Sequence, residues 1–176
     1  MLVKTQSYYA ALYDETSPVN VENFMNDLLS QAETDPRTKS LGLGGGLFIF
    51  NQYLIDRANR GELLAWALPL DGIFQCDAQL AHEMISPPDR MESLGKDHIV
   101  STLRVPSGRL FVSCLGDLGM GKSPILRVDP GIYHVVLTRN TETESKHWAL
   151  DCEADHLPCE SPDWLIRLSR ADGETL

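Results

Sequence analysis

The sequence has no continuous apolar stretch at its amino terminus, MLVKTQSYYAALYDET, and no later run nears the roughly 18 apolar residues that cross a bilayer. Neither a secretory signal nor a membrane span is therefore expected. Positive charge is also short: 15 Lys and Arg stand against 25 Asp and Glu, a formal net charge of −10. That sign disfavours nonspecific attraction to nucleic acid and favours a basic partner. Internal repeats and low-complexity linkers are missing, which leaves a single domain over residues 1–176. Cysteine is confined to Cys76, Cys114, Cys152 and Cys159, and without a secretory signal these are expected as reduced thiols in a cytoplasmic protein.

What is present is an ordinary globular composition, 43% hydrophobic and 23% charged, which argues against disorder. The clearest helical pattern follows Ser17 and Pro18, an N-cap and a first helical residue, with Val21, Phe24, Met25, Leu28, Leu29 and Ala32 on one face. Asp35-Pro36 ends it, and a Lys-, Gly- and Ser-rich loop runs to Gly46. The expected organisation is an amino-terminal helical part, about 1–46, followed by a β part, about 47–176. Residues 47–59 fit a strand or a helix, and Gly61 stops either.

From Glu62 the period becomes two. Strands are expected at 62–68, 74–80, 98–105, 109–115, 124–128, 131–139, 145–153 and 163–169. The punctuation is Asp71-Gly72, read as a hairpin turn, then Pro106-Ser107-Gly108, Asp129-Pro130-Gly131 and Pro158 to Pro162. Residues 84–97, with Pro87-Pro88 and many charges, read as an exposed connection. The fold class is mainly β within α+β: an antiparallel β-sandwich or open barrel with one amphipathic amino-terminal helix.

Several segments invite a chemical reading. Gly116, Gly121, Lys122 and Ser123 match the phosphate-loop pattern G-x-x-x-x-G-K-[ST], which works only where loop N–H groups lead into a helix. Pro124, a short strand and Asp129-Pro130-Gly131 leave no room for that helix, so the match is read as a decoy and no nucleotide site is expected. The glycines at 42 and 44–46 lack dinucleotide-loop spacing and a preceding strand. His147, Cys152, His156 and Cys159 are zinc-type ligands, but C-x3-H-x2-C lacks paired knuckles and His147 opposes Cys152 on an alternating strand; no metal or cofactor is expected. His82-Glu83 opens a zinc-protease motif that fails at Ser86. Cys76 and Cys114, which could pair with His82, His98 or His134, sit on apolar strand registers and read as buried structural thiols. The carboxylate pair Asp151 and Asp155 carries little information in so acidic a chain. Trp66, Trp148 and Trp164 are expected in the core with their indole N–H groups satisfied.

The stretch Ile99 to Leu137, through VPSGRLFVS at 105–113 and VDPGIYHVVL at 128–137, resembles small bacterial β-sandwich immunity and nuclease-inhibitor proteins of the competence-protein J type. The resemblance implies a protein that neutralises a toxin or nuclease by covering its active site. It transfers no functional residue to a position here and does not include the amino-terminal helix.

The leading expectation is therefore a noncatalytic protein-binding module that presents acidic loops to a basic partner, with Asp117, Glu142, Glu144, Asp151 and Asp155 as candidate contact residues. Two other classes stay open. One is a metal- or nucleotide-dependent enzyme using the 147–159 or 116–123 segment, and the other a self-associating structural or regulatory domain.

Overall fold

The computed structural model describes residues 2–5, 9–17, 52–68, 72–81, 96–114, 124–143 and 162–171. Their strands are β1 (Leu2–Thr5), β2 (Tyr9–Asp14), β3 (Leu63–Ala67), β4 (Gly72–Leu80), β5 (Lys96–Val105), β6 (Arg109–Cys114), β7 (Leu126–Arg127), β8 (Gly131–Asn140) and β9 (Trp164–Arg170). They form a five-stranded sheet in the order β1-β4-β9-β8-β5 and a four-stranded sheet in the order β3-β2-β6-β7. The protein is mainly β, and among the described residues no barrel closes.

The two sheets meet through their apolar faces. Phe74, Cys76, Leu103, Val105, Tyr133, Val135, Leu137, Trp164, Ile166 and Leu168 come from the larger sheet; Ala10, Leu12, Leu64, Trp66, Leu110 and Val112 come from the smaller. Strand alternation produces this directly: in β5, Leu103 and Val105 are buried while Val100, Thr102 and Arg104 are exposed. The heart of the core is aromatic. Trp164 stacks on Phe74 at 4.7 Å between ring centroids and meets Trp66 edge to face at 5.1 Å.

The smaller sheet is covered on its second face too. Residues 52–59 form a helix, resolving the ambiguity over 47–59 for that part, and Leu54 and Tyr53 pack on Ala11, Tyr13, Leu63 and Phe111. Gly61 ends the helix at φ 68°, with its N–H on the Ala58 carbonyl and the Glu62 N–H on the Arg57 carbonyl. Those paired bonds, with glycine in the left-handed conformation, make a Schellman cap.

Four expectations are corrected. Residues 2–5 and 9–14 are strands, so the first fourteen residues belong to the sheets rather than to an amino-terminal helical part. Asp71-Gly72 does not join a hairpin: β3 and β4 lie in different sheets, and β4 pairs instead with β1, Leu2 opposite Gln75 and Thr5 opposite Gly72. Pairing is not wholly antiparallel either, since β4 and β9 run parallel with Cys76 opposite Trp164. That pair joins strands distant in sequence, which is what a parallel pairing requires. Finally, the Trp66 indole nitrogen is buried with no hydrogen-bond partner among the described residues; the cluster it packs in is apolar. The helical pattern at 18–34, the strand at 145–153 and Trp148 lie outside the described residues, as does the connection expected over 84–97 except for residues 96–97, which begin β5.

No helix among the described residues is long and apolar enough to cross a membrane.

Candidate functional site

The clearest polar construction among the described residues stands at the end of the sandwich where β2 stops. Asp14 is its centre and is 1% exposed. One carboxylate oxygen accepts the Thr16 backbone N–H at 2.8 Å and the Thr16 hydroxyl at 2.6 Å. The other accepts the Ser107 N–H at 3.1 Å and the Ser107 hydroxyl at 2.7 Å. Ser107 passes the chain on, its oxygen accepting the Arg109 N–H at 3.1 Å. The four bonds to Asp14 saturate both oxygens, which is how a carboxylate survives burial. They also tie the end of β2 to the β5–β6 turn, the point at which the chain crosses from the larger sheet to the smaller.

A cleft of about 300 Å³ opens beside this clip, lined by Asp14, Thr16, Ser17, Gly61, Glu62, Arg104 and Pro106. The helix cap forms one wall. Glu62 is held by Arg57 at 2.6 Å, and its backbone carbonyl accepts the Ser17 hydroxyl at 3.0 Å. That contact raises the Arg57 pKa above its ordinary value, the hydrogen bond to Glu62 outweighing the opposing effect of burial. Arg104 comes from the exposed face of β5, and its N–H donates to the Gly61 carbonyl at 2.8 Å. Two walls far apart in sequence are thus joined through backbone.

Asp163 is a second fully buried carboxylate. It accepts the Gln75 N–H at 2.7 Å, while its carbonyl accepts the Asn140 N–H at 2.8 Å, so it joins β4, β8 and the start of β9. Neither Asp14 nor Asp163 stood out in the sequence as a candidate. Asp14-Glu15-Thr16 does carry a local signal, since an aspartate that bonds the backbone two residues on is an Asx-turn signature.

The thiols are placed for packing. Cys76 and Cys114 are both buried and unbridged, and burial pushes the Cys76 thiol up to about 12, far from a reactive thiolate. His98 is occupied on β5 against the Thr138 hydroxyl at 3.0 Å across the strand pair with β8.

Of the acidic contact candidates, Glu142 is described: it is exposed on the helical turn 141–143 that follows β8. Asp117, Glu144, Asp151 and Asp155 lie outside the described residues. So do the zinc-type set His147, Cys152, His156 and Cys159 and the phosphate-loop match Gly116, Gly121, Lys122 and Ser123. The residues just after that match are described: Pro124 and Ile125 lead into the short strand Leu126–Arg127, where a phosphate loop would open a helix. Among the described residues no group of three or more His, Cys, Asp or Glu is arranged to hold a metal ion.

Among solved structures the chain is similar to crocagin biosynthetic gene J, with a TM-score of 0.64 and 18% identity over 97% of this chain and 94% of that one. At that identity the likeness shows a shared fold. No family model matches the sequence, and no curated protein matches it.

Proposed function

We propose that the chain is a noncatalytic protein-binding module of the cytoplasm and, in its narrower form, an immunity-type inhibitor of a basic toxin or nuclease. The observation that supports this reading best is the commitment of the described reactive groups to structure. Asp14 spends both carboxylate oxygens on four hydrogen bonds, and the Cys76 thiol is buried and far from ionisation. Groups so engaged hold loops in place and are poorly disposed to exchange protons with a substrate. The charge excess is available for recognition instead: a formal net charge of −10 steers a basic partner toward the molecule and discriminates against acidic ones.

The contact surface in this reading comprises Glu142, Glu144, Asp151 and Asp155 in the segment after β8, together with Asp117. Reversing Glu142, Glu144 and Asp155 to lysine is expected to slow association with the partner at least tenfold and to flatten its salt dependence. Stopped-flow association measured with and without added salt tests this. An unchanged rate would remove these residues from the interface.

A further inference from the structure

We propose that the cleft beside Asp14 is a binding site for a small organic carboxylate that also carries a hydrogen-bond donor, with Arg104 as the group that pairs with the carboxylate. The inference is independent of the protein-partner reading and rests on how the charges around the cleft are spent.

Each described carboxylate that lines the cleft is engaged from within the protein. Asp14 is taken by Thr16 and Ser107, and Glu62 by Arg57. Arg104 is the exception. Its side chain is exposed, and among the described residues it forms no ion pair. An unspent guanidinium at the wall of a cavity of about 300 Å³ suits a planar two-oxygen anion, which it can hold with two parallel hydrogen bonds.

The position of Arg104 is also prepared in advance. Its backbone N–H is fixed on the Gly61 carbonyl at 2.8 Å, and its Cγ lies on the side of Gly61 from which a Cβ would project. A Cβ on Gly61 would come within 3.1 Å of the Arg104 Cγ and 3.3 Å of the Thr102 carbonyl oxygen, so a larger residue there would push the arginine stem aside by a few tenths of an ångström. Gly61 needs to be glycine for its φ of 68° as well, which means the helix cap and the arginine seat are one construction.

The hydroxyls set the second requirement. Thr16 donates its proton to Asp14, and Ser17 donates its proton to the Glu62 carbonyl. Both residues line the cleft, and with their protons spent their hydroxyl oxygens can act there only as acceptors, for which a ligand needs an O–H or N–H of its own. Pro106 supplies an apolar surface for the remainder of the ligand.

Mandelate is a suitable probe because it joins a carboxylate, a hydroxyl donor and one apolar ring, and mandelamide removes only the charge. Titration of the full chain followed by two-dimensional amide NMR should show saturable shifts at the Gly61 and Arg104 amides. The expected dissociation constant is about 1 mM, in line with a ligand of this size. Mandelamide should bind at least tenfold more weakly. Arg104→Gln should lose at least tenfold, and Arg104→Lys should recover part of that loss through charge without the two-pronged geometry. Absence of saturable shifts at Gly61 and Arg104 would overturn the proposal. So would equal binding of mandelate and mandelamide by the unaltered protein, a comparison that needs no variant to fold.

Discussion

The Asp14 carboxylate and the Ser107 hydroxyl lie 2.7 Å apart across 93 residues of sequence. Their contact joins the end of β2 to the turn by which the chain crosses between sheets, and it forms one boundary of the cleft. Asp14→Ala strands two donors from Ser107 and two from Thr16, so a loss of about 2–4 kcal/mol is expected. Ser107→Ala removes one hydroxyl and should cost about 1 kcal/mol. Urea unfolding of both variants and of the double variant checks this: the two losses should add to more than the double variant shows, since the residues share one interaction.

Gly108 makes the neighbouring prediction. It sits at φ 70°, and a Cβ there would stand 2.4 Å from the Val128 carbonyl oxygen, on backbone that cannot yield as a side chain could. Gly108 also accepts the Val128 N–H at 2.9 Å, which anchors the start of β6 beside the segment after β7. Gly108→Ala should destabilise by at least about 2 kcal/mol, combining the left-handed penalty with the clash. Thermal unfolding measures it, and an unchanged melting temperature would contradict the geometry.

The buried thiol predicts a pH dependence. The Cys76 pKa is raised from 9.0 to about 12, chiefly by burial. The folded chain therefore keeps a proton that the unfolded chain gives up. The resulting stability is fully present below about pH 9 and is lost progressively as pH rises toward about 12. Tyr133, raised in the same direction by burial, adds to the loss above its ordinary value of 10.0. Urea midpoints between pH 8 and 11, compared with those of Cys76→Ala, check the sign: the variant should show a shallower decline. Cys76 in the native protein should resist alkylation near neutral pH until denaturant is added.

Two tryptophans in contact should respond differently to the same change. The Trp66 indole N–H is buried with no partner among the described residues, whereas Trp164 is enclosed by Phe74 and Trp66 at the centre of the core. Replacement by phenylalanine removes an unsatisfied donor at Trp66 but only packing and bonding at Trp164. Trp164→Phe should therefore cost more than Trp66→Phe, by about 1 kcal/mol or more. Equal losses in denaturant unfolding would show that the orphan donor carries no penalty.

Strands were legible where one face is less buried than the other. Over 102–105 in β5, 109–112 in β6 and 164–168 in β9, buried and less buried residues alternate. β2 was not, because five of its six residues, Ala10 to Asp14, are buried whichever face they point to; sandwiched between the other sheet and the 52–59 helix, it carries no period. β1 is four residues long, too short for a pattern. With no pattern to mark β1, the pairing of β4 with it is hidden, and Asp71-Gly72 reads as a hairpin turn. The cleft was hidden for a related reason: Asp14, Gly61, Arg104 and Ser107 meet only because of the crossing between sheets, and no spacing in the sequence announces it.

The proposed role is the binding of a basic protein partner. The most direct measurement is a tagged pull-down from the native host, with stoichiometry quantified by mass spectrometry at low and high salt, run in parallel with the Glu142→Lys, Glu144→Lys, Asp155→Lys variant. One stoichiometric basic protein is expected, held at low salt and lost both at high salt and in the variant. No stoichiometric partner at either salt, or a partner retained equally by the charge-reversed variant at low salt, would contradict it.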